Sequence, residues 1–74
     1  MLKILSERLV QCRKEAGLTQ AQIAIYADIT EKAYQNYEAM RREPRLEILV
    51  RVADTLGVSL DYLTGRTDKK KMDT

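Results

Sequence analysis

The sequence has no histidine, tryptophan or phenylalanine, and it contains one cysteine, one proline and three glycines in 74 residues. Without histidine, the chain lacks the usual general base and the commonest nitrogen ligand for transition metals. A single cysteine cannot form an internal disulfide, and Cys12 fits a small apolar core residue better than a reactive thiol. We therefore expect a protein that is not an enzyme and that needs no metal or cofactor.

Long apolar runs are also absent, and no signal-peptide-like apolar segment follows Met1. We therefore expect a soluble, cytoplasmic protein. The charges nearly balance, with 13 Lys and Arg against 11 Asp and Glu, for a formal net charge of +2. This small excess is a weak signal for nucleic acid, so binding to nucleic acid would depend on where the positive charges cluster.

Apolar residues recur along the chain at steps of three and four, which is the spacing of amphipathic helices. With its capping signals, this pattern predicts an all-α domain of five helices over residues 1–65. Gly17 and Gly57 are placed to close the first and fourth helices in the left-handed conformation. Residues 66–74 are polar and show no periodicity, so we expect a disordered tail there. The expected helices span Ile4 to Ala16, Thr19 to Ala27, Thr30 to Ala39, Leu46 to Leu56, and Ser59 to Gly65.

Two short helices meet at a tight turn in the middle of the chain. Thr19 is an N-cap residue followed three positions later by Gln22, the spacing of a capping box. Asp28 interrupts the earlier of these two helices, and Thr30 caps the later one. Helices of about two turns with so short a link must cross steeply. This is the outline of a helix-turn-helix, whose second helix can enter a DNA major groove.

The outer face of that second helix follows from the 100° step per residue. If Tyr34 and Tyr37 point inward, polar side chains occupy the opposite side. Lysine can reach guanine O6 and N7, while glutamine and asparagine can bind adenine N6 and N7. A solvated helix face shows the same polar residues, so the pattern alone leaves both interpretations open. The outward residues are Lys32, Gln35, Asn36 and Ala39, with Glu31 on the shoulder.

Three separated segments of the chain, taken in order, resemble the lambda-repressor-like helix-turn-helix family, also called the Xre or Cro type. They are GLTQAQIA at 17–24, Tyr37-Glu38 with RREP at 41–44, and LVRVADTLGVSLDYLTG at 49–65. The resemblance implies a compact five-helix DNA-binding domain of bacterial or phage origin. It implies a dimeric transcriptional regulator, which we expect to be a repressor that binds double-stranded DNA at an inverted repeat.

Residue roles follow from this resemblance position by position. It implies a salt bridge between Arg13 and Glu38 that joins the first and third helices. Residues expected to meet base edges are Glu31, Lys32, Gln35 and Asn36. Residues expected to contact phosphates are Thr19, Gln20, Arg41 and Arg42.

The chain departs from the family pattern at several positions. Asp28 and Met40 stand where the family usually has glycine, and Tyr34 replaces an aliphatic residue. Arg45 replaces a helix-capping serine, and a cation at a helix start opposes the helix dipole. Glu31 places a carboxylate at the groove entrance, where it repels phosphates and can be used only by accepting from a cytosine N4.

Apolar residues outside the predicted core indicate two further surfaces. Ile25 and Tyr26 lie off the apolar face of the second helix, either as isolated exposed residues or as a surface for a protein partner. The alternative function is therefore a protein-interaction module of antitoxin or anti-regulator type with weak DNA binding. Ile48, Val50 and Tyr62 are our candidates for a homodimer contact.

Overall fold

A computed structural model describes residues 2–71 and contains five helices with no strand in that range. The all-α, five-helix prediction is therefore confirmed. The first helix begins two residues earlier than expected, because nothing in the opening residues disfavours helix. The helices are α1 (Leu2–Glu15), α2 (Gln20–Ala27), α3 (Glu31–Glu38), α4 (Leu46–Leu56) and α5 (Leu60–Leu63).

A single core receives at least one side chain from every helix. α2 packs against α3 and α4, while α1 packs against α3 and α5. Full burial of an aliphatic side chain contributes about 1.5–3 kcal/mol, so these contacts supply most of the driving force for folding. Cys12 lies in the core, and burial raises the pKa of its thiol, in keeping with a packing role. The most deeply buried large side chains are Leu5, Leu9, Ile23, Tyr34, Val52 and Leu63.

Local capping signals set the bounds of the central helices. The capping box at α2 is present: Gln22 N donates to Thr19 Oγ1 at 3.1 Å, and Thr19 N donates to Gln22 Oε1 at 2.8 Å. Asp28 ends α2 in the left-handed conformation with φ of 59°. Thr30 caps α3 by accepting from Ala33 N at 3.1 Å. Only residues 28–30 separate the two helices, which gives the predicted helix-turn-helix.

The end of α3 also turns through a left-handed residue, although no glycine is present there. Met40 has φ of 62°. Arg41 N donates to Asn36 O at 2.9 Å, and Met40 N donates to Tyr37 O at 3.3 Å. These are the two hydrogen bonds of a Schellman motif, which favours glycine at the position that Met40 occupies.

Arg8 connects α1 to the end of the chain. Its guanidinium donates to the Tyr62 carbonyl, to the Thr67 carbonyl at 2.7 Å and to the Asp68 carboxylate at 3.0 Å. The same group lies 4.1 Å above the centre of the Tyr62 ring, and Tyr62 is only 6% exposed. The prediction that Tyr62 forms part of a dimer contact is therefore wrong, because the helical spacing of a four-residue helix does not fix the direction of its side chains.

For the segment after α5, the sequence predicts a disordered tail over residues 66–74. Residues 66–71 instead make polar contacts with the helices, among them Lys70 Nζ to Glu15 Oε1 at 2.7 Å. Hydrogen bonds and ion pairs hold this segment, which buries few apolar groups. Residues 72–74 lie outside the described part of the chain, so the tail prediction there and the domain bounds stay predictions.

Residues 2–71 contain neither a membrane-spanning helix nor a group of metal ligands. No helix in this range is long and apolar enough to span a membrane. No group of three or more His, Cys, Asp or Glu side chains in it could hold a metal ion.

Candidate DNA-binding surface

The third helix has one buried face and one polar face, and the structure places them as the residue spacing predicts. Tyr34 is fully buried and Tyr37 is 7% exposed, so both tyrosines anchor α3 to the core. On the opposite side, Glu31 and Lys32 are exposed, while Gln35 and Asn36 are half-buried. The predicted base-reading residues thus share one side of α3.

One hydrogen bond orders part of this polar face. Gln35 Nε2 donates to Glu31 Oε2 across one helical turn at 3.3 Å. This bond uses one of the two amide hydrogens of Gln35 and leaves the other hydrogen and the carbonyl oxygen available. The pair of groups that binds adenine is therefore still free on Gln35.

A concavity lies between the polar face of α3 and the loop that leads to α4. Three basic side chains and one acidic side chain line it, so positive charge clusters here although the whole chain carries only +2. Arg42 lines this concavity, whereas Arg41 is exposed outside it. The lining residues are Thr30, Lys32, Ala33, Asn36, Tyr37, Arg42, Glu43, Arg45 and Ile48.

Arg45 is a member of this cluster that the sequence reasoning did not assign to DNA. It occupies the N-cap position of α4 without a side-chain capping hydrogen bond. Its side chain is exposed and lines the concavity together with Lys32 and Arg42. The available signal was the repeated basic residues on both sides of Pro44, a pattern that places positive charge around a fixed turn.

The two predicted phosphate contacts at the start of α2 are already engaged within the protein. Thr19 is exposed, but its hydroxyl accepts the capping hydrogen bond. Gln20 Nε2 donates to Glu38 Oε1 at 3.0 Å. A phosphate contact from Gln20 would therefore use the second hydrogen of the same amide.

The carboxylate of Glu38 connects three helices at the end of α3. Arg13 Nε donates to Glu38 Oε2 at 2.7 Å, and Arg13 Nη2 donates to Glu38 Oε1 at 3.3 Å. The expected pair is therefore present, with 15% of the Arg13 side chain and 7% of the Glu38 side chain exposed. Ser6 on α1 also donates to the Glu38 carbonyl. The last residue of α3 is thus fixed to α1 by both its backbone and its side chain.

The ionisation of this network follows from its geometry. Burial disfavours the charged form of Glu38, but the hydrogen bonds led by Arg13 outweigh burial and hold the pKa of this carboxyl below its usual range. The hydrogen bond to Glu38 raises the pKa of Arg13. Both groups are therefore charged at neutral pH, and the pair is an ion pair.

The Tyr34 hydroxyl is a buried polar group near this network. It is buried without a hydrogen-bond partner among the described residues. Burial raises the pKa of Tyr34, and the nearby Glu38 carboxylate raises it further. The side chain is therefore a neutral phenol that lies near the Glu38 carboxylate.

Two short helices joined by a three-residue turn present a polar helix face beside a basic concavity. This arrangement defines a helix-turn-helix domain. A family model described as Helix-turn-helix matches residues 9–63, from the middle of α1 to the end of α5. The chain belongs to this family, in its lambda-repressor-like or Xre-type branch. The resemblance inferred from the three sequence segments is thus confirmed.

Several curated proteins are similar to the chain. An uncharacterized HTH-type transcriptional regulator of Bacillus subtilis, YqaE, is 44% identical over 66 residues, which cover 88% of this chain and 57% of YqaE. The cryptic phage CTXphi transcriptional repressor RstR of Vibrio cholerae is 42% identical over 62 residues, which cover 84% of this chain and 55% of RstR. The HTH-type transcriptional regulator y4dJ of Sinorhizobium fredii is 30% identical over 74 residues, which cover 100% of this chain and 96% of y4dJ. The chain spans only a little over half of the first two proteins, and no solved structure gives a significant match.

Proposed function

We propose that this chain is a sequence-specific DNA-binding transcriptional regulator, acting as a repressor, that inserts α3 into the major groove. The observation that carries the proposal is the division of α3 between a tyrosine face fixed in the core and a polar face whose side chains are exposed or half-buried. The names of the relatives support the same class of activity, because RstR is named a transcriptional repressor.

Base reading is assigned to the polar face of α3. Lys32 suits a guanine, while Gln35 and Asn36 suit adenine through their paired amide donor and acceptor. Glu31 would hold the amide of Gln35 and accept from a cytosine N4 where one lies within reach. Discrimination of about 1–3 kcal/mol for each good bidentate contact would make a site of several base pairs distinguishable from random DNA.

Phosphate contacts are assigned to the borders of this helix. Thr19 and Gln20 lie at the start of α2, and Arg41 and Arg42 lie in the loop after α3. We add Arg45, because its side chain lines the same concavity as Arg42. These contacts carry little sequence information, but they set the register of α3 in the groove and make binding sensitive to salt.

A homodimer on an inverted repeat is the arrangement that we propose for the bound state. Ile48 is half-buried and lines the concavity, on the opposite side of α4 from Val50, so the two do not share one surface. Leu46 and Val50 lie one turn apart on α4 and are 70% and 37% exposed. These apolar side chains are a surface that a second copy could cover. Two α3 helices would then enter successive major grooves about 34 Å apart. The site of action would be the cytoplasm of a bacterium, on chromosomal or phage DNA.

The proposal is tested by selecting bound duplexes from a random pool at about 0.1 M salt and then titrating the winning sequence at several salt concentrations. Enrichment of an inverted repeat with half-sites one helical turn apart is the expected result. Enrichment of no motif, with only steeply salt-dependent binding remaining, would contradict sequence-specific recognition.

A second candidate function is a protein-interaction module of antitoxin or anti-regulator type. The observation that favours it is the exposure of two adjacent apolar side chains on α2, Ile25 at 75% and Tyr26 at 63%. Low DNA affinity even at low salt, with a co-purifying protein that is lost on Ile25→Gln, would support this function. Retention of that protein by Ile25→Gln, or full DNA selectivity without it, would count against it.

A further inference from the structure

Arg51 on α4 makes a hydrogen bond that joins α4 to the end of α2. Its Nε donates to the carbonyl oxygen of Ala27 at 2.7 Å, and the side chain is half-buried. Ala27 is the last residue of α2 and is fully buried. The bond therefore spans two helices at a protected position, in contrast to the ion pairs on the surface of the chain.

The chemistry of a helix end makes this bond a favourable one. The last four carbonyl groups of a helix have no N–H partner one turn further along. The negative end of the helix dipole lies at the same place, so a guanidinium there is attracted by both effects. Arg51 thus satisfies a carbonyl that the left-handed turn at Asp28 would otherwise leave without a helical donor.

The position of this bond relates it to α3. α4 packs against α2 and α5, whereas α3 packs against α2 and α1. Apart from the loop at 39–45 that joins them, α4 therefore acts on α3 mainly through α2 and the turn at 28–30. The last residue of α3, Glu38, is separately fixed to α1. The direction of the opening turn of α3 then depends on how firmly the preceding turn is held.

We propose that Arg51 is a positioning residue for DNA recognition. Arg51 holds the Ala27 carbonyl of α2 against α4, and this contact sets the angle at which α3 leaves the turn. That angle determines how Glu31, Lys32 and Gln35 approach the base edges. Arg51 acts on selectivity through Ala27 and has no DNA contact of its own. This inference rests on the proposed function.

The test compares Arg51→Met with Arg66→Met in the full chain. Methionine keeps an unbranched, helix-compatible stem and removes the donor and the charge. Arg66→Met removes the same charge at a side chain that is 81% exposed, and so serves as the matched control. Dissociation constants for the selected duplex and a random duplex are measured at several salt concentrations, below the temperature at which circular dichroism shows any unfolding.

The expected result is a loss of about tenfold on the selected duplex for Arg51→Met, the size of one lost base contact, with affinity for random DNA kept. The slope of log affinity against log salt concentration, called the salt slope below, should match that of Arg66→Met. Unchanged selectivity in folded Arg51→Met would overturn the proposal, since a purely stabilising residue leaves the selectivity of the folded protein intact. Equal losses on both duplexes with a slope shallower by about one would also overturn it, because Arg51 would then contact a phosphate.

If Arg51→Met does not fold, Arg51→Lys carries the test. Lysine keeps the charge but moves the donor from Nε to the end of the stem, so we expect at least a twofold fall in the ratio of selected to random affinity. A ratio equal to that of the unsubstituted chain would overturn the proposal. Failure of the unsubstituted chain to select any duplex is a different outcome, because it refutes the proposed function before the variants are compared.

Discussion

Arg13 on α1 and Glu38 at the end of α3 form a bidentate ion pair, with Nε to Oε2 at 2.7 Å and Nη2 to Oε1 at 3.3 Å. The pair is largely removed from solvent, so water competes for it less than for a surface pair. It joins the helix that opens the domain to the helix proposed to read DNA. Stability and the placement of α3 therefore depend on the same contact.

Removal of one partner should be costly. Glu38→Gln keeps the volume of the side chain but leaves the Arg13 guanidinium without a counter-charge. We expect the free energy of unfolding to fall by about 3 kcal/mol, measured by urea denaturation at neutral pH. Glu15→Gln, which breaks the exposed pair with Lys70, is the control and should change stability far less. A similar small change for both variants would contradict the importance of the buried pair.

Acid should weaken the domain through the same carboxyl. The pKa of Glu38 is lowered in the folded state, so the unfolded chain binds more protons as the pH falls. This contribution to stability is complete above the unfolded pKa of glutamate, about 4.3, and is lost as the pH drops below it through the lowered value. Urea denaturation between about pH 6 and pH 2.5 should therefore show a steeper fall for the unsubstituted chain than for Glu38→Gln. Parallel curves would contradict this origin of acid sensitivity.

Met40 should be a position where glycine stabilises the protein. Its φ of 62° lies in the left-handed region, which costs about 1–2 kcal/mol for a residue with a side chain. Glycine removes that cost. Part of the gain in stability is lost, because glycine gives the unfolded chain more conformational freedom. We expect Met40→Gly to raise the free energy of unfolding by about 0.5–1 kcal/mol. Met40→Ala keeps the strain and should bring no gain, and a loss of stability in the glycine variant would contradict the interpretation.

The Tyr34 hydroxyl should be dispensable for stability. It is buried and unpaired among the described residues, so its removal deletes an unsatisfied polar group. We expect Tyr34→Phe to be neutral or to stabilise by about 1 kcal/mol. Tyr62→Phe is the control, because the Tyr62 hydroxyl donates to Gln11 Oε1 at 3.1 Å and its loss should destabilise. Destabilisation by Tyr34→Phe as large as that of Tyr62→Phe would show that the Tyr34 hydroxyl has a partner.

Much of the helix-turn-helix could be predicted from the sequence because its signals are local. Thr19 and Thr30 each accept from an N–H group three residues away, so the starts of α2 and α3 do not depend on the rest of the fold. The buried face of α3 follows from the helical repeat once Tyr34 and Tyr37 are taken as core residues. The pairing of Arg13 with Glu38 drew mainly on the resemblance to a family, since the two residues lie 25 positions apart in the chain.

Contacts that depend on the packing of distant segments could not be predicted. The bond from Arg51 to the Ala27 carbonyl exists only because α4 packs on the end of α2, and no local pattern indicates which carbonyl an arginine will reach. The contacts of Arg8 with Thr67 and Asp68 likewise connect opposite ends of the chain. Polar composition predicts a lack of burial correctly, but it does not predict whether a polar segment finds hydrogen-bond partners.

The central claim is that the outer face of α3 reads base sequence, and Gln35→Ala tests it most directly. We expect this variant to lose about 1–3 kcal/mol on the selected duplex while keeping its affinity for random DNA, because Gln35 is assigned to a base edge. Arg42→Ala is the matched comparison. It should weaken both duplexes alike and make the salt slope shallower by about one.

The decisive measurement is therefore the ratio of the dissociation constants of Gln35→Ala for the random and the selected duplex. A ratio that falls at least fivefold below that of the unsubstituted chain, about 1 kcal/mol in selectivity, is the result predicted for a base-reading helix. Equal losses on both duplexes, as expected for Arg42→Ala, would contradict the assignment of α3 as the reading element.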